Sequence, residues 1–100
     1  MDKCMRELKE LLLKKLVNTE VSIYLFGSRA NGTARATSDV DIGLDAKNQI
    51  DPLLFSDIVE AVEYSTIPYK VDIVDMTKVS PKFYDEIIKT GVKWKDYNKN

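Results

Sequence analysis

The sequence predicts an α/β chain of the α+β kind, with a small mixed sheet and helices packed mainly on one of its faces. Three observations predict it. Helix-spaced apolar stripes over 3–17, 52–65 and 81–90 alternate with strand-like runs over 21–26, 39–44 and 70–75. The run at 21–26 is apolar on both alternating sides, as a covered central strand is. The two later runs each carry aspartate among apolar residues. At 100 residues the chain makes one domain, 1–100, which buries roughly 60–70% of its unfolded surface.

In order along the chain, Met5, Leu8, Leu12 and Leu16 recur at helical spacing and Leu11 widens their stripe, while Glu7, Lys9, Glu10, Lys14 and Lys15 take the other faces. Asp2 is the expected N-cap and Asn18 the C-terminal residue. The strand 21–26 exits sharply at Gly27. Residues 28–32 then form one helical turn, with Ser28 as its N-cap and its N–H groups facing an anion. Asp39 opens the second strand, and Thr37 and Ser38 lead into it. The loop DAKNQIDP follows. Asp51-Pro52 starts a helix to about Ser65, with Phe55, Ile58, Val59 and Val62 buried and Glu60 and Glu63 wet. Pro68 breaks that pattern. In 70–75, Val71 and Ile73 take one face and Asp72 and Val74 the other. Ser80-Pro81 caps the last helix, which turns Phe83, Ile87 and Ile88 inward and ends before Gly91 as C′ residue. Residues 92–94 add a short strand or pack on the sheet, and the tail 95–100 frays.

Composition removes several classes of function. The net charge of −1 argues against a general nucleic-acid binder. One cysteine and no histidine exclude an intrachain disulfide, a Cys/His zinc site and histidine acid–base chemistry. No run has the length of a membrane span and no apolar leader is present, so a cytoplasmic protein is expected. Neither a P-loop, a GxGxxG nor a kinase signature occurs.

The chemistry concentrates in GSRANGTARATSDVDIGL, residues 27–44. Residues two apart on a strand point the same way, so Asp39, Asp41 and Gly43 share a face and Val40, Ile42 and Leu44 share the other. Two carboxylates one pleat apart repel unless a cation lies between them, and Gly43 beside them leaves room for something bulky. Separated from Asp39 by ten residues, the Gly27-Ser28 step offers N–H groups and a hydroxyl to phosphate. Arg29 extends it with a bidentate donor for a terminal phosphate, its alternative being a surface ion pair. Arg35 sits in a polar loop and is expected to stay outside the site. Asp45 keeps the parity of Asp41 but lies about 13 Å further on, and is also left outside. Of the acids in the third strand, Asp72 is the expected site residue, because an unemployed acid buried in an apolar strand is costly. Asp75 is expected to cap or turn.

Gly-Ser, ten intervening residues, then Asp-x-Asp resembles the signature of the nucleotidyltransferase superfamily that includes DNA polymerase β. The short chain resembles its minimal branch, small nucleotidyltransferases paired with a HEPN-domain partner. The resemblance covers most of the chain, since KVDIVD lies where the family has its third carboxylate. It implies the polymerase β-like fold, with Asp39, Asp41 and Asp72 as catalytic residues holding two Mg²⁺ or Mn²⁺ ions. It also implies that Gly27, Ser28 and Arg29 hold the β,γ-phosphates of ATP, and that Asp72 helps to deprotonate the acceptor hydroxyl. In such pairs the small protein is an antitoxin, and some members transfer AMP to a tyrosine of the HEPN RNase toxin.

Three functions compete on these grounds. One is an adenylyltransferase antitoxin acting on a helical HEPN partner. Another is a catalytic subunit for a small-molecule, antibiotic-like acceptor. The third is a binding-only antitoxin module, against which the presence of all three aspartates and the Gly-Ser step speaks. Larger relatives append helical domains to bind the acceptor, so a partner protein is expected to supply it here.

Overall fold

The computed structural model describes residues 2–33 and 39–97. Arg35, Thr37 and Ser38 lie outside the described residues, as does the end of the tail. Helix α1 (Lys3–Leu16) leads to β1 (Val21–Phe26), the single turn α2 (Ser28–Asn31) and β2 (Val40–Ala46). Then come α3 (Pro52–Glu63), β3 (Val71–Asp75), a 3-10 turn (Met76–Lys78), α4 (Pro81–Thr90) and β4 (Val92–Lys95).

Three helices start where local chemistry satisfies their orphan amides. Asp2 accepts from Met5 N at 2.8 Å, Asp51 from Leu53 N at 2.9 Å and Ser80 from Phe83 N at 3.2 Å. Their ends differ slightly from expectation. The C-cap of α1 is Val17, one residue before Asn18, and α3 stops at Glu63, two short of Ser65. Gly91 does cap α4, but in an extended conformation (φ −78°) rather than a left-handed one. Its small size matters instead because a Cβ there would meet the carbonyl oxygens of Ile87 at 2.6 Å and Leu25 at 3.1 Å.

The described strands form one mixed sheet in the order β3-β2-β1-β4. β1 is antiparallel to both its neighbours, whereas β2 and β3 run parallel, with α3 as the crossover that parallel strands require. Central β1 is buried along its whole length, as its two apolar faces predict. One face of the sheet packs Ile23, Leu25, Ile42 and Leu44 against Leu8, Leu12 and Leu16 of α1 and Ile58 and Val62 of α3. The other face carries a smaller cluster of Tyr24, Phe26, Met76 and Ile87, so α4 and the 3-10 turn cover only part of it. Phe26 and Phe83 meet there edge to face, with centroids 5.7 Å apart.

Two residues expected inside lie outward: Val59 is 36% exposed and Ile88 40%. Each follows a residue that faces the sheet (Ile58, Ile87), and a step of about 100° along a helix carries it to the flank. The tail also departs from expectation over 95–97. Lys95 Nζ donates to Thr19 O at 2.9 Å and Val21 O at 2.7 Å, and Tyr97 N donates to Ser22 Oγ at 2.9 Å. Burial holds the Lys95 amine below its ordinary range. No helix among the described residues is long and apolar enough to cross a membrane.

Candidate active site

The site begins where β1 ends. Gly27 adopts φ 74°, ψ −155°, a region that side chains resist, and so turns the chain straight from strand into α2. Its carbonyl accepts from Ala30 N at 3.0 Å and Asn31 N at 3.2 Å, which makes Gly27, not Ser28, the N-cap. The left-handed glycine brings the turn one residue forward, and Ser28 becomes the first helical residue. Gly32 closes the turn at φ 81°, and Asn31 Oδ1 accepts from Thr33 N at 3.1 Å and from Thr33 Oγ1 at 2.6 Å.

Gly27 is also where the two halves of the motif touch. A Cβ at this position would run into the Asp41 carboxylate. Gly27→Ala therefore meets both backbone strain and displacement of that side chain. The expected loss is about 1–2 kcal/mol of stability, read from the midpoint of urea unfolding.

Register explains the acidic cluster. Phe26 pairs with Asp41 across β1 and β2, and Asp41 with Asp72 across β2 and β3. Phe26, Asp41 and Asp72 thus form one row across the sheet, with the two carboxylates on adjacent strands. Burial first, then Asp72 and Asp39, push the Asp41 carboxyl above the usual carboxylate range. Asp39, immediately before β2, and Asp72 are both exposed. The reason expected for Asp72 is therefore corrected: it sits on an edge strand in the open, and pairing rather than burial puts it beside Asp41.

The remaining candidates separate from this row. The room beside Gly43 is filled, since a Cβ there would stand 2.7 Å from Met76 Sδ. Asp45 is buried and accepts from Tyr84 Oη at 2.6 Å, a bond that drives the phenol pKa sharply upward. Asp75 ends β3 as a cap, accepting from Thr77 N at 2.9 Å and Thr77 Oγ1 at 2.6 Å.

Arg29 stacks on an aromatic ring. Its guanidinium lies 4.2 Å over the Tyr69 ring, and Tyr69 Oη donates to Asp2 Oδ2 at 2.9 Å. The Met5 N–H and this phenol hold the Asp2 carboxyl below its ordinary range, with Arg29 adding to the effect. Tyr69 was not foreseen, because its ring meets Arg29 only through the fold.

Among the described residues no three His, Cys, Asp or Glu side chains stand together as a ready metal-ligand group. The donor chemistry nonetheless fits a hard divalent cation. Asp39, Asp41 and Asp72 offer oxygen alone, and the repulsion on Asp41 is of the kind a cation relieves.

Residues 6–100 match the family described as Polymerase beta, Nucleotidyltransferase. The chain is 32% identical over 81 residues to the probable protein adenylyltransferase MntA of Haemophilus influenzae, covering 81% of this chain and 70% of that one. It is 29% identical over 91 residues to the protein adenylyltransferase MntA of Shewanella oneidensis, covering 87% and 65%. It thus spans about two thirds of the length of these curated relatives. A crystal structure of a toxin-antitoxin with AMP-PNP contains a chain that matches with TM-score 0.70 at 25% identity, over 88% of this chain and 73% of that one. A match that runs from Arg6 to the last residue, on a sheet that sets its paired aspartates against the glycine turn, makes this chain a member of the polymerase β nucleotidyltransferase family.

Proposed function

We propose that this chain transfers AMP from ATP to a hydroxyl, that the acceptor is a tyrosine of a HEPN-type toxin partner, and that the chain is thereby the antitoxin of a pair. The observation that carries the reading is the row of Asp41 and Asp72 in register, with Gly27 seated against Asp41. The adenylyltransferase names of its relatives support the choice of AMP. The toxin-antitoxin neighbour with AMP-PNP supports both nucleotide and partner.

Gly27, Ser28 and Arg29 hold the β,γ-phosphates in this mechanism, through backbone amides, a hydroxyl and a guanidinium. Asp39, Asp41 and Asp72 would hold Mg²⁺ or Mn²⁺, two ions in all. When bound, such ions neutralise charge on the attacking and leaving oxygens. Asp72, exposed on the edge strand, accepts the proton of the incoming hydroxyl. A bond forms from that oxygen to the α-phosphorus, the bond from the α-phosphorus to the bridging oxygen breaks, and pyrophosphate leaves. Positioning and charge complementarity supply most of the rate in this scheme, which needs no histidine.

Parallel reactions with ATP labelled at the α- or the γ-phosphorus test the scheme. The α-label should become protein-bound and the γ-label should appear in pyrophosphate. Transfer of the γ-label to protein would mean phosphorylation and overturn the proposal.

The phosphate assignment has its own test. Ser28→Ala and Arg29→Ala should weaken ATP more than AMP, since only ATP carries the groups they touch. A charge-assisted contact contributes about 1.5–3 kcal/mol, so Arg29→Ala should cost about tenfold or more in ATP affinity by calorimetry. Equal losses for ATP and AMP would return both residues to a structural role, with Arg29 holding Tyr69.

A further inference from the structure

The three segments proposed to hold nucleotide and metal meet at one end of the sheet. Two of them, β2 and β3, are tied by register, with Asp41 beside Asp72, and by Val40 N, which donates to Lys70 O at 2.9 Å. The third, α2 with its glycine turn, abuts β2 where Gly27 meets Asp41. A further tie runs from α2 to the start of β3.

That tie is built on Tyr69. Arg29 of α2 lies 4.2 Å over its ring, and its hydroxyl donates to Asp2 Oδ2 at 2.9 Å. Asp2 is itself anchored, since its other oxygen, Oδ1, caps α1 by accepting from Met5 N at 2.8 Å. One ring thus joins α1, α2 and the approach to β3. It does so from behind. With Val71 and Ile73, Tyr69 packs on the side of the sheet that α1 and α3 cover, opposite the face that carries Phe26 and the row of Asp41 and Asp72. In the proposed scheme it touches neither nucleotide nor metal, and it acts through the backbone that it anchors. Lys70 follows it directly and bonds Val40, which stands between Asp39 and Asp41, and Asp72 lies three residues on.

A brace here matters because the parts it separates repel. A triphosphate on the glycine turn and carboxylates on β2 and β3 carry the same sign of charge, which only a cation between them offsets. A turn of four residues yields to that repulsion unless something holds it. A misplacement of about 1 Å costs on the order of 10²-fold in rate. A guanidinium stacked on a ring, and a phenol bonded to a carboxylate, are both charge-assisted contacts suited to the task. We propose, on the transferase reading, that Tyr69 is a positioning residue: it braces the Gly27-Ser28 turn against the start of β3 and so sets the separation between bound triphosphate and the row of Asp41 and Asp72.

Two substitutions test this. Tyr69→Leu removes ring and hydroxyl together, whereas Tyr69→Phe keeps the ring under Arg29. The assay uses α-labelled ATP, Mg²⁺ and the product of the neighbouring gene, well below the melting temperature of each protein. Tyr69→Leu should lower kcat about 30-fold or more. Its ATP affinity by calorimetry should stay within about threefold of the parent, because every group proposed to touch phosphate is still present. Tyr69→Phe should recover kcat to within about fivefold of the parent. Ser80→Ala, which removes only the cap on α4, should lower the melting temperature and leave kcat unchanged.

Amide exchange supplies a readout that needs no turnover. In Tyr69→Leu it should quicken about tenfold or more at Ala30, Asn31 and Val40, whose N–H groups bond Gly27 O and Lys70 O, and stay unchanged along α4. A Tyr69→Leu protein that transfers at the parent rate, or whose loss lies in ATP affinity alone, would overturn the proposal. So would equal losses in the two Tyr69 variants, which would leave the bond to Asp2 as the only contribution. If the parent itself labels nothing, the transferase reading fails and exchange alone decides. Quickening at those three amides in Tyr69→Leu but not in Tyr69→Phe would then sustain the brace, and unchanged exchange would remove it.

Discussion

Asp41→Asn is expected to lower nucleotidyl transfer by about 10³-fold or more while leaving the protein folded and slightly more stable at neutral pH. Both effects come from one feature. Asp41 is the half-buried member of the acidic row, flanked by Asp72 on the neighbouring strand and by Asp39 just before β2. Its carboxyl is pushed upward by burial and by those two charges, so its ionised form is disfavoured in the folded protein. An amide keeps the shape and one oxygen but discards the charge. On the proposed mechanism the variant thus loses a cation ligand and at the same time sheds the repulsion. Asp39→Asn should act in the same direction on transfer, with a smaller effect on stability because Asp39 is exposed.

The sign of the pH dependence follows from linkage. A carboxyl whose folded pKa lies above its unfolded value binds more protons in the native state between the two. Stability then falls as pH rises from the ordinary value of 3.8 through the raised one, and the penalty stays constant above. The advantage of Asp41→Asn should accordingly be full at neutral pH and vanish below about pH 3.8 in the absence of divalent cation. Melting curves of both proteins across that range, in chelator, measure it. An Asp41→Asn protein that transfers AMP at the parent rate would remove Asp41 from the site. One that melts lower at neutral pH would show that the carboxylate is held by bonds rather than strained by charge.

What was legible in the sequence was local or periodic. Asp2, Asp51-Pro52 and Ser80-Pro81 announce helix starts because a cap acts within three residues of itself. The alternation in 21–26 announces a covered strand because burial on both faces leaves nothing polar inward but Ser22. The spacing from Gly27-Ser28 to Asp39 and Asp41 pointed to the site, and the contact of Gly27 with Asp41 places the two ends of that spacing together.

Long-range pairing was not legible. Asp72 was selected on the expectation of burial, yet it stands exposed and joins Asp41 through a parallel register that no periodicity encodes. Met76 filling the space over Gly43, and Tyr69 lying under Arg29, are likewise tertiary meetings of residues far apart in the chain. Gly91 was expected as the C′ residue of α4, and its need for small size comes from the carbonyls of Ile87 and of Leu25 on β1 passing close by. Such errors share a cause: a residue type was recognised as special before the neighbour that makes it so could be known.

The isolated chain is expected to bind ATP with Mg²⁺ but to transfer AMP to water or small alcohols many orders of magnitude more slowly than to its protein partner. Most of its apolar surface is committed inward. Leu8, Leu12 and Leu16 of α1, Ile58 of α3 and Ile87 of α4 are almost wholly buried against the sheet. Little remains to frame an acceptor over Asp72 except the partly covered sheet face that carries Phe26 and Met76, where a small alcohol finds no enclosure. A hydroxyl that must be captured from solution in each turnover forfeits the proximity contribution, which reaches about 7–11 kcal/mol, or roughly 10⁵- to 10⁸-fold in rate. A partner that seats its tyrosine against Asp72 restores that contribution without adding any catalytic group. The measurement is a reaction with α-labelled ATP and Mg²⁺, with the chain alone and with the product of its neighbouring gene, and the label is located by mass spectrometry. Label on a partner tyrosine, with negligible hydrolysis by the chain alone, is the expected result. Label on a small molecule would instead support the antibiotic-like reading. A chain that binds ATP and metal through intact Asp39, Asp41 and Asp72 yet labels nothing would act by binding alone, and the row of aspartates would then serve to recognise nucleotide rather than to cleave it.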